Sequence, residues 1–206
     1  MKSKKTSTIF IIFVCIAVVF GIRYYQQKNT ANLMDGPLTR AKGNPKAPIK
    51  IVEFIDYQCP ACAMGSKYLK EKYEQYPDQL RIELKYFPLG MHQHAMLSAQ
   101  YVECAARQGK LWPFQDKVME RQNGWKNLID PRPAFDVMAK EIEIDLDQMK
   151  QCLDNEDVKR FILEDKEKGN SLGVKSTPTY FVNNKLLVGA KSLDIELKKL
   201  LGIKTD

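Results

Sequence analysis

Acidic residues are almost missing from the first quarter of the chain. Residues 1–48 contain one, Asp35, beside eight basic side chains: Lys2, Lys4, Lys5, Arg23, Lys28, Arg40, Lys42 and Lys46. Of 32 basic and 25 acidic residues in all, this leaves 24 of each beyond position 48. The formal charge of +7 is therefore an N-terminal property, and the neutral remainder lacks the basic face that nucleic-acid binding needs. Internal repeats and low-complexity tracts are also missing, which excludes a solenoid or a disordered tail. Histidine occurs only twice, as His92 and His94. Zinc fingers space their histidines three to five apart on a helix, so two residues two apart at a helix start do not make a zinc site with Cys59 and Cys62, and no metal is expected.

Charge is missing once more from residues 6–22, TSTIFIIFVCIAVVFGI, which follow Lys2, Lys4 and Lys5. A basic flank before an apolar run is the layout of an export signal, with Arg23, Tyr24 and Tyr25 suited to a membrane interface. Such a run is at the short end of the roughly 17–25 residues that span a bilayer. No A-x-A cleavage site stands out, although cleavage after Gly21 is possible. The expectation is a signal-anchor or signal peptide at 1–25 and a linker at 26–42. The domain at 43–206 then lies in the periplasm or another extracytoplasmic space, anchored in the cytoplasmic membrane.

In that oxidising setting the four cysteines outside the apolar run, Cys59, Cys62, Cys104 and Cys152, favour disulfides, with three pairings open. Residues 49–55 are β-branched and read as a buried strand, 60–76 as a helix, and 80–87 as an alternating strand stopped by Pro88. Residues 92–172 contain no convincing strand and read as helices over about 93–108, 112–122, 132–141, 145–153 and 156–171. After Pro178, TYFV, Asn183-Asn184 and KLLVG form a hairpin, and a helix over 192–201 ends the chain. The pattern is β-α-β, a helical insertion, then β-β-α.

Cys59 and Cys62 lie in EFIDYQCPAC, between the first strand and its helix. A cysteine at a helix start meets unpaired N–H groups and the positive end of the dipole, so its thiolate is stabilised. Pro60 suits the first helical position. Cys59 can then attack or accept attack as a disulfide, with Cys62 one turn on as the resolving thiol.

EFIDYQCPAC together with Ser176-Thr177-Pro178-Thr179 resembles the DsbA-like branch of the thioredoxin superfamily, over about Gly43 to Leu201. The resemblance implies an α/β thioredoxin fold with an all-helical insertion, preceded by an apolar N-terminal helix. It implies an exported protein disulfide oxidoreductase with a Cys59–Cys62 redox centre and no cofactor besides that disulfide. Cys59 is the matching nucleophile and Cys62 the resolving cysteine. Thr177-Pro178 is the cis-proline loop that, with Pro60 and Ala61, meets substrate backbone. Glu53 is the buried acid beneath the site, able to shuttle protons because burial raises its pKa, and Lys85 is its matching partner. Relatives often carry cysteines at both remaining places, so a Cys104–Cys152 crosslink is expected; two buried free thiols are the alternative. Ala61 stands where strongly oxidising members have histidine, which leaves the direction of electron flow open.

Three readings follow. The first is a dithiol oxidase acting on cysteine-containing exported proteins and reoxidised by a membrane redox partner. The second is a reductase or isomerase of the same compartment. The third is a non-catalytic, chaperone-like binding module. The chain is expected to be a monomer. Trp112, Phe114 and Trp125 read as core, and Met64 and Met91 as an apolar rim.

Overall fold

The computed structural model describes residues 11–21, 33, 34 and 36–203. It divides into two units, Met1–Asp35 and Gly36–Asp206. In the first, residues 11–21 are helical with exposed side chains. Among the described residues no helix is long and apolar enough to cross a membrane. The flanks of the expected anchor, 1–10 and 22–32, lie outside the described residues.

The second unit starts with a 3₁₀ turn, Leu38–Arg40, and strand β1, Ala41–Lys42. Ordered pairing thus begins before residue 43, within the segment expected to be linker. There follow β2 (Ile49–Ile55), α1 (Pro60–Gln75) and β3 (Leu80–Tyr86). The insertion contains α2 (Ala95–Arg107), α3 (Leu111–Glu120), the short α4 (Gln122–Trp125), α5 (Arg132–Lys140), α6 (Leu146–Leu153) and α7 (Glu156–Ser171). The chain then returns through β4 (Thr179–Val182) and β5 (Lys185–Val188) to α8 (Gly189–Leu201). The β4–β5 turn uses Asn183 and Asn184 at φ 45° and 71°, the left-handed pair that a tight hairpin requires.

The sheet order is β1-β3-β2-β4-β5, with β2 and β3 parallel and the other pairs antiparallel. Alternation along the strands sends side chains to two faces. Ile49, Ile51, Leu80, Ile82, Tyr180, Val182 and Leu187 join Leu69 of α1 and Leu193 and Leu197 of α8 in one apolar cluster. On the other face Phe54 meets Phe87 and Phe181 edge-on. There α7 comes so close that a Cβ at Gly169 would lie 2.8 Å from the Phe87 ring and 2.9 Å from Phe54. A second cluster joins Ile55, Tyr57, Cys59 and Cys62 to Phe114, Val118, Trp125 and Phe135 of the insertion. Each side chain of this size contributes roughly 1.5–3 kcal/mol when fully buried.

Candidate functional site

The redox loop begins where β2 ends, and a buried carboxylate shapes it. Asp56 accepts hydrogen bonds from the backbone N–H groups of Gln58 and Leu89, both at 2.8 Å, and its Oδ2 lies 2.8 Å from His92 Nδ1. The insertion holds the loop from the other side. Gln122 Nε2 donates to the carbonyls of Tyr57 (2.7 Å) and Cys59 (3.0 Å), while Gln58 Nε2 donates to the Lys126 carbonyl. Cys59 is the N-cap of α1 with Pro60 behind it, so the N–H groups of the first turn face its sulfur. Gln122 was not singled out by the sequence, because its value depends on where α4 docks.

Cys59 and Cys62 are both free thiols with unequal access, 8% and 0% exposed. The Cys59 thiol is pulled down to about 5. A hydrogen bond from Cys62 is the main cause; Thr177 and the backbone N–H groups of Cys62 and Ala61 add to it, against the opposing effect of burial. The Cys62 thiol is pushed well above its ordinary value by burial and by its bond to Cys59. Thr177-Pro178 is a cis peptide, and Cys59 Sγ lies 3.4 Å from the Thr177 carbonyl oxygen. The Thr177 carbonyl thus lies against the Cys59 sulfur, with Pro178 next in the chain and Pro60 and Ala61 following Cys59 in the first turn of α1.

Glu53 is 1% exposed, and burial raises its carboxyl to about 7 against the lowering effects of Tyr180 and Lys42. Lys85 does not accompany it. In the β2–β3 register Glu53 pairs with Leu84, and Lys85 pairs with Phe54, so the two point to opposite faces. Lys85 Nζ instead lies 3.2 Å from Glu83 Oε1 and 3.7 Å from Asp165 Oδ1 on α7. Arg40 joins this cluster through an ion pair with Asp165 and sits over the rings of Tyr86 and Phe161. The cation on Glu53's face is Lys42 of β1, seated against Trp112 and Tyr73. From sequence alone it belongs to the expected linker, because a two-residue strand carries no periodicity.

The other expected residues lie outside this centre. Cys104 of α2 and Cys152 of α6 are joined in a disulfide inside the insertion. His94 Nε2 is 2.7 Å from the Leu128 carbonyl. Met64 and Met91 are exposed. A groove of about 650 Å³ runs beside Pro60, with Ala63, Met64, Lys67, Lys70 and Met119 in its walls. A thiolate with a small exposed edge, beside a fully buried thiol and a raised carboxyl, can exchange disulfides by attack at Cys59 and closure by Cys62.

Comparison with known proteins places this geometry among relatives. A family model described as Thioredoxin matches residues 36–201. The probable disulfide bond formation protein D of Bacillus cereus is 28% identical over 217 residues, covering 97% of this chain and 100% of that protein. The Na(+)/H(+) antiporter NhaA 3 of Salinispora tropica is 28% identical over 155 residues; the match takes in 74% of this chain but only 22% of that protein's length. Among solved structures, oxidised BdbD from Bacillus subtilis superposes with a TM-score of 0.67 at 22% identity, covering 78% of this chain and 91% of that one.

Proposed function

The chain belongs to the thioredoxin family as a DsbA-like protein thiol–disulfide oxidoreductase, and on that premise we propose that it is a dithiol oxidase of an extracytoplasmic compartment. A substrate thiolate attacks Cys59 Sγ and breaks the Cys59–Cys62 bond, and Cys62 leaves as a thiolate that takes up a proton. A second substrate thiolate attacks the substrate sulfur of the mixed disulfide, and Cys59 leaves as a thiolate. The substrate has lost two electrons and the enzyme has gained them. Thr177, Pro178, Pro60 and Ala61 meet the substrate beside Cys59, and Glu53 supplies the proton for Cys62.

The observation that carries the direction is the Cys59 thiol at about 5. A thiolate this well stabilised favours the reduced enzyme, so its disulfide is readily given away. Cys62 and the first-turn N–H groups supply donors that a histidine at position 61 would add to. Substrates are cysteine-containing exported proteins. The N-terminal apolar segment holds the enzyme at the membrane, where a redox partner reoxidises it. The support for this setting is the basic flank ahead of the apolar run and the name of the full-length Bacillus cereus relative.

The test is the reduction potential of the Cys59–Cys62 pair, equilibrated against glutathione. A value of about −120 to −180 mV is expected. A value near or below about −230 mV would replace the oxidase with a reductase.

A further inference from the structure

The buried face beneath the two cysteines contains a hydroxyl that the exchange chemistry has not yet used. Tyr180 of β4 is the register partner of Glu53 on β2, and it is fully buried. The Tyr180 hydroxyl is near enough to the Glu53 carboxyl for a hydrogen bond between them to lower the one and raise the other, yet neither Tyr180 Oη nor Glu53 Oε1 has a partner of full hydrogen-bond geometry among the described residues. A buried polar atom satisfied so loosely is costly, by up to roughly 1–3 kcal/mol, so this pair calls for a reason.

Across from them α1 presents Gly65, one turn beyond Cys62 on the same face. A Cβ at position 65 would lie 2.2 Å from Tyr180 Oη, but 3.4 Å from Pro178 Cγ and 3.5 Å from Tyr180 Cζ. The last two are ordinary contacts. The missing methyl thus makes room for the hydroxyl and for little else. The titratable groups facing this spot are Glu53 on β2, Cys59 and Cys62 at the start of α1, Lys42 on β1, and Tyr57 after β2.

We propose that the Tyr180 hydroxyl bridges Glu53 and Cys62, and that Gly65 keeps the space it needs. When substrate attack expels Cys62 as a thiolate, Tyr180 gives its proton to Cys62 Sγ and takes one from the Glu53 carboxyl. Glu53 is left as a carboxylate, Tyr180 is unchanged, and no electrons move in this step. On reoxidation the proton returns by the same route. Tyr180 is the relay group between Cys62 and Glu53, and its role rests on the reading of Glu53 as the proton store.

The test measures reduction of the oxidised full-length enzyme by dithiothreitol from pH 5 to 9. Each variant is compared with wild type at the same pH, so ionisation of the probe cancels. Tyr180→Phe is expected to slow the reaction by roughly 100-fold and to abolish the inflection near Glu53's value. The Cys59 thiolate titration, followed at 240 nm, stays in place. Glu53→Gln should abolish the same inflection, and the double variant should be no slower than the slower single one. If Glu53→Gln removes the inflection and Tyr180→Phe keeps it, Tyr180 has no part in the relay and Glu53 retains its own. If Glu53→Gln keeps it, the proton store itself is misassigned and the bridge falls with it. Gly65→Ala checks the geometry independently: it should damage the wild type yet be tolerated beside Tyr180→Phe. Equal damage in both backgrounds would overturn the placement of the hydroxyl.

Discussion

The stabilised thiolate at Cys59 makes the stability of the reduced protein depend on pH in a way the oxidised protein cannot share. In the folded dithiol form Cys59 ionises at about 5, against an ordinary value of 9.0. A depressed value contributes stability that is complete above the unfolded value and lost as pH falls through the folded one. At pH 7 the native thiol is ionised and the unfolded one is not. About two pH units of the shift are then expressed, at 1.36 kcal/mol each, or about 3 kcal/mol. At pH 4 almost none remains. Cys62 is held protonated throughout this range and adds nothing. The disulfide form has no thiol here to titrate, and the carboxylates common to both forms largely cancel. Urea unfolding of the purified protein, reduced and oxidised, should therefore show the reduced form gaining about 3 kcal/mol on the oxidised form between pH 4 and pH 7. The same energy makes the disulfide about 60 mV more oxidising. A stability difference that stays constant across this range would refute the argument, because Cys59 would then ionise near its ordinary value in the native protein.

Two further outcomes follow from the packing. Replacing Cys104 and Cys152 together with serine should cost roughly 2–4 kcal/mol in urea unfolding while the Cys59–Cys62 potential stays within error, since the bond ties α2 to α6 away from the redox loop. Arg40→Met should cost about 3–5 kcal/mol by leaving Asp165 short of its closest cation. Adding Asp165→Leu should recover much of that loss, which a calorimetric Tm series would read directly.

What could be read from the residues was local. Cys59 and Pro60 carry their meaning in adjacent positions, and Asn183-Asn184 announces a hairpin without help from distant parts. Glu53 was found because an acid inside IVEFI stands out against its neighbours. Its surroundings were not legible, for a physical reason: which face a strand residue takes depends on register with partners far away in sequence. Lys85 looked like the partner of Glu53 and belongs to the other face. Lys42 is on the right face but arrives on a strand of two residues. Tyr180 sits in TYFV, where an aromatic ring at a strand position is ordinary, and only Gly65 on another element gives its hydroxyl a setting. Arg40 resembled linker charge, yet is among the most buried side chains.

The amide contacts between α4 and the redox loop bear on how such proteins can be rebuilt. Gln122 touches the carbonyls of Tyr57 and Cys59, and Trp125, one turn on, shares an apolar cluster with both cysteines. The helical insertion is therefore a wall of the active centre and cannot be treated as a detachable accessory. Trimming the chain to a minimal β-α-β-β-β-α scaffold would leave the cysteines in place and strip away the donors and apolar surface that set their behaviour. Conversely, a swap of the insertion alone between relatives should retune the chemistry without altering a single residue of EFIDYQCPAC.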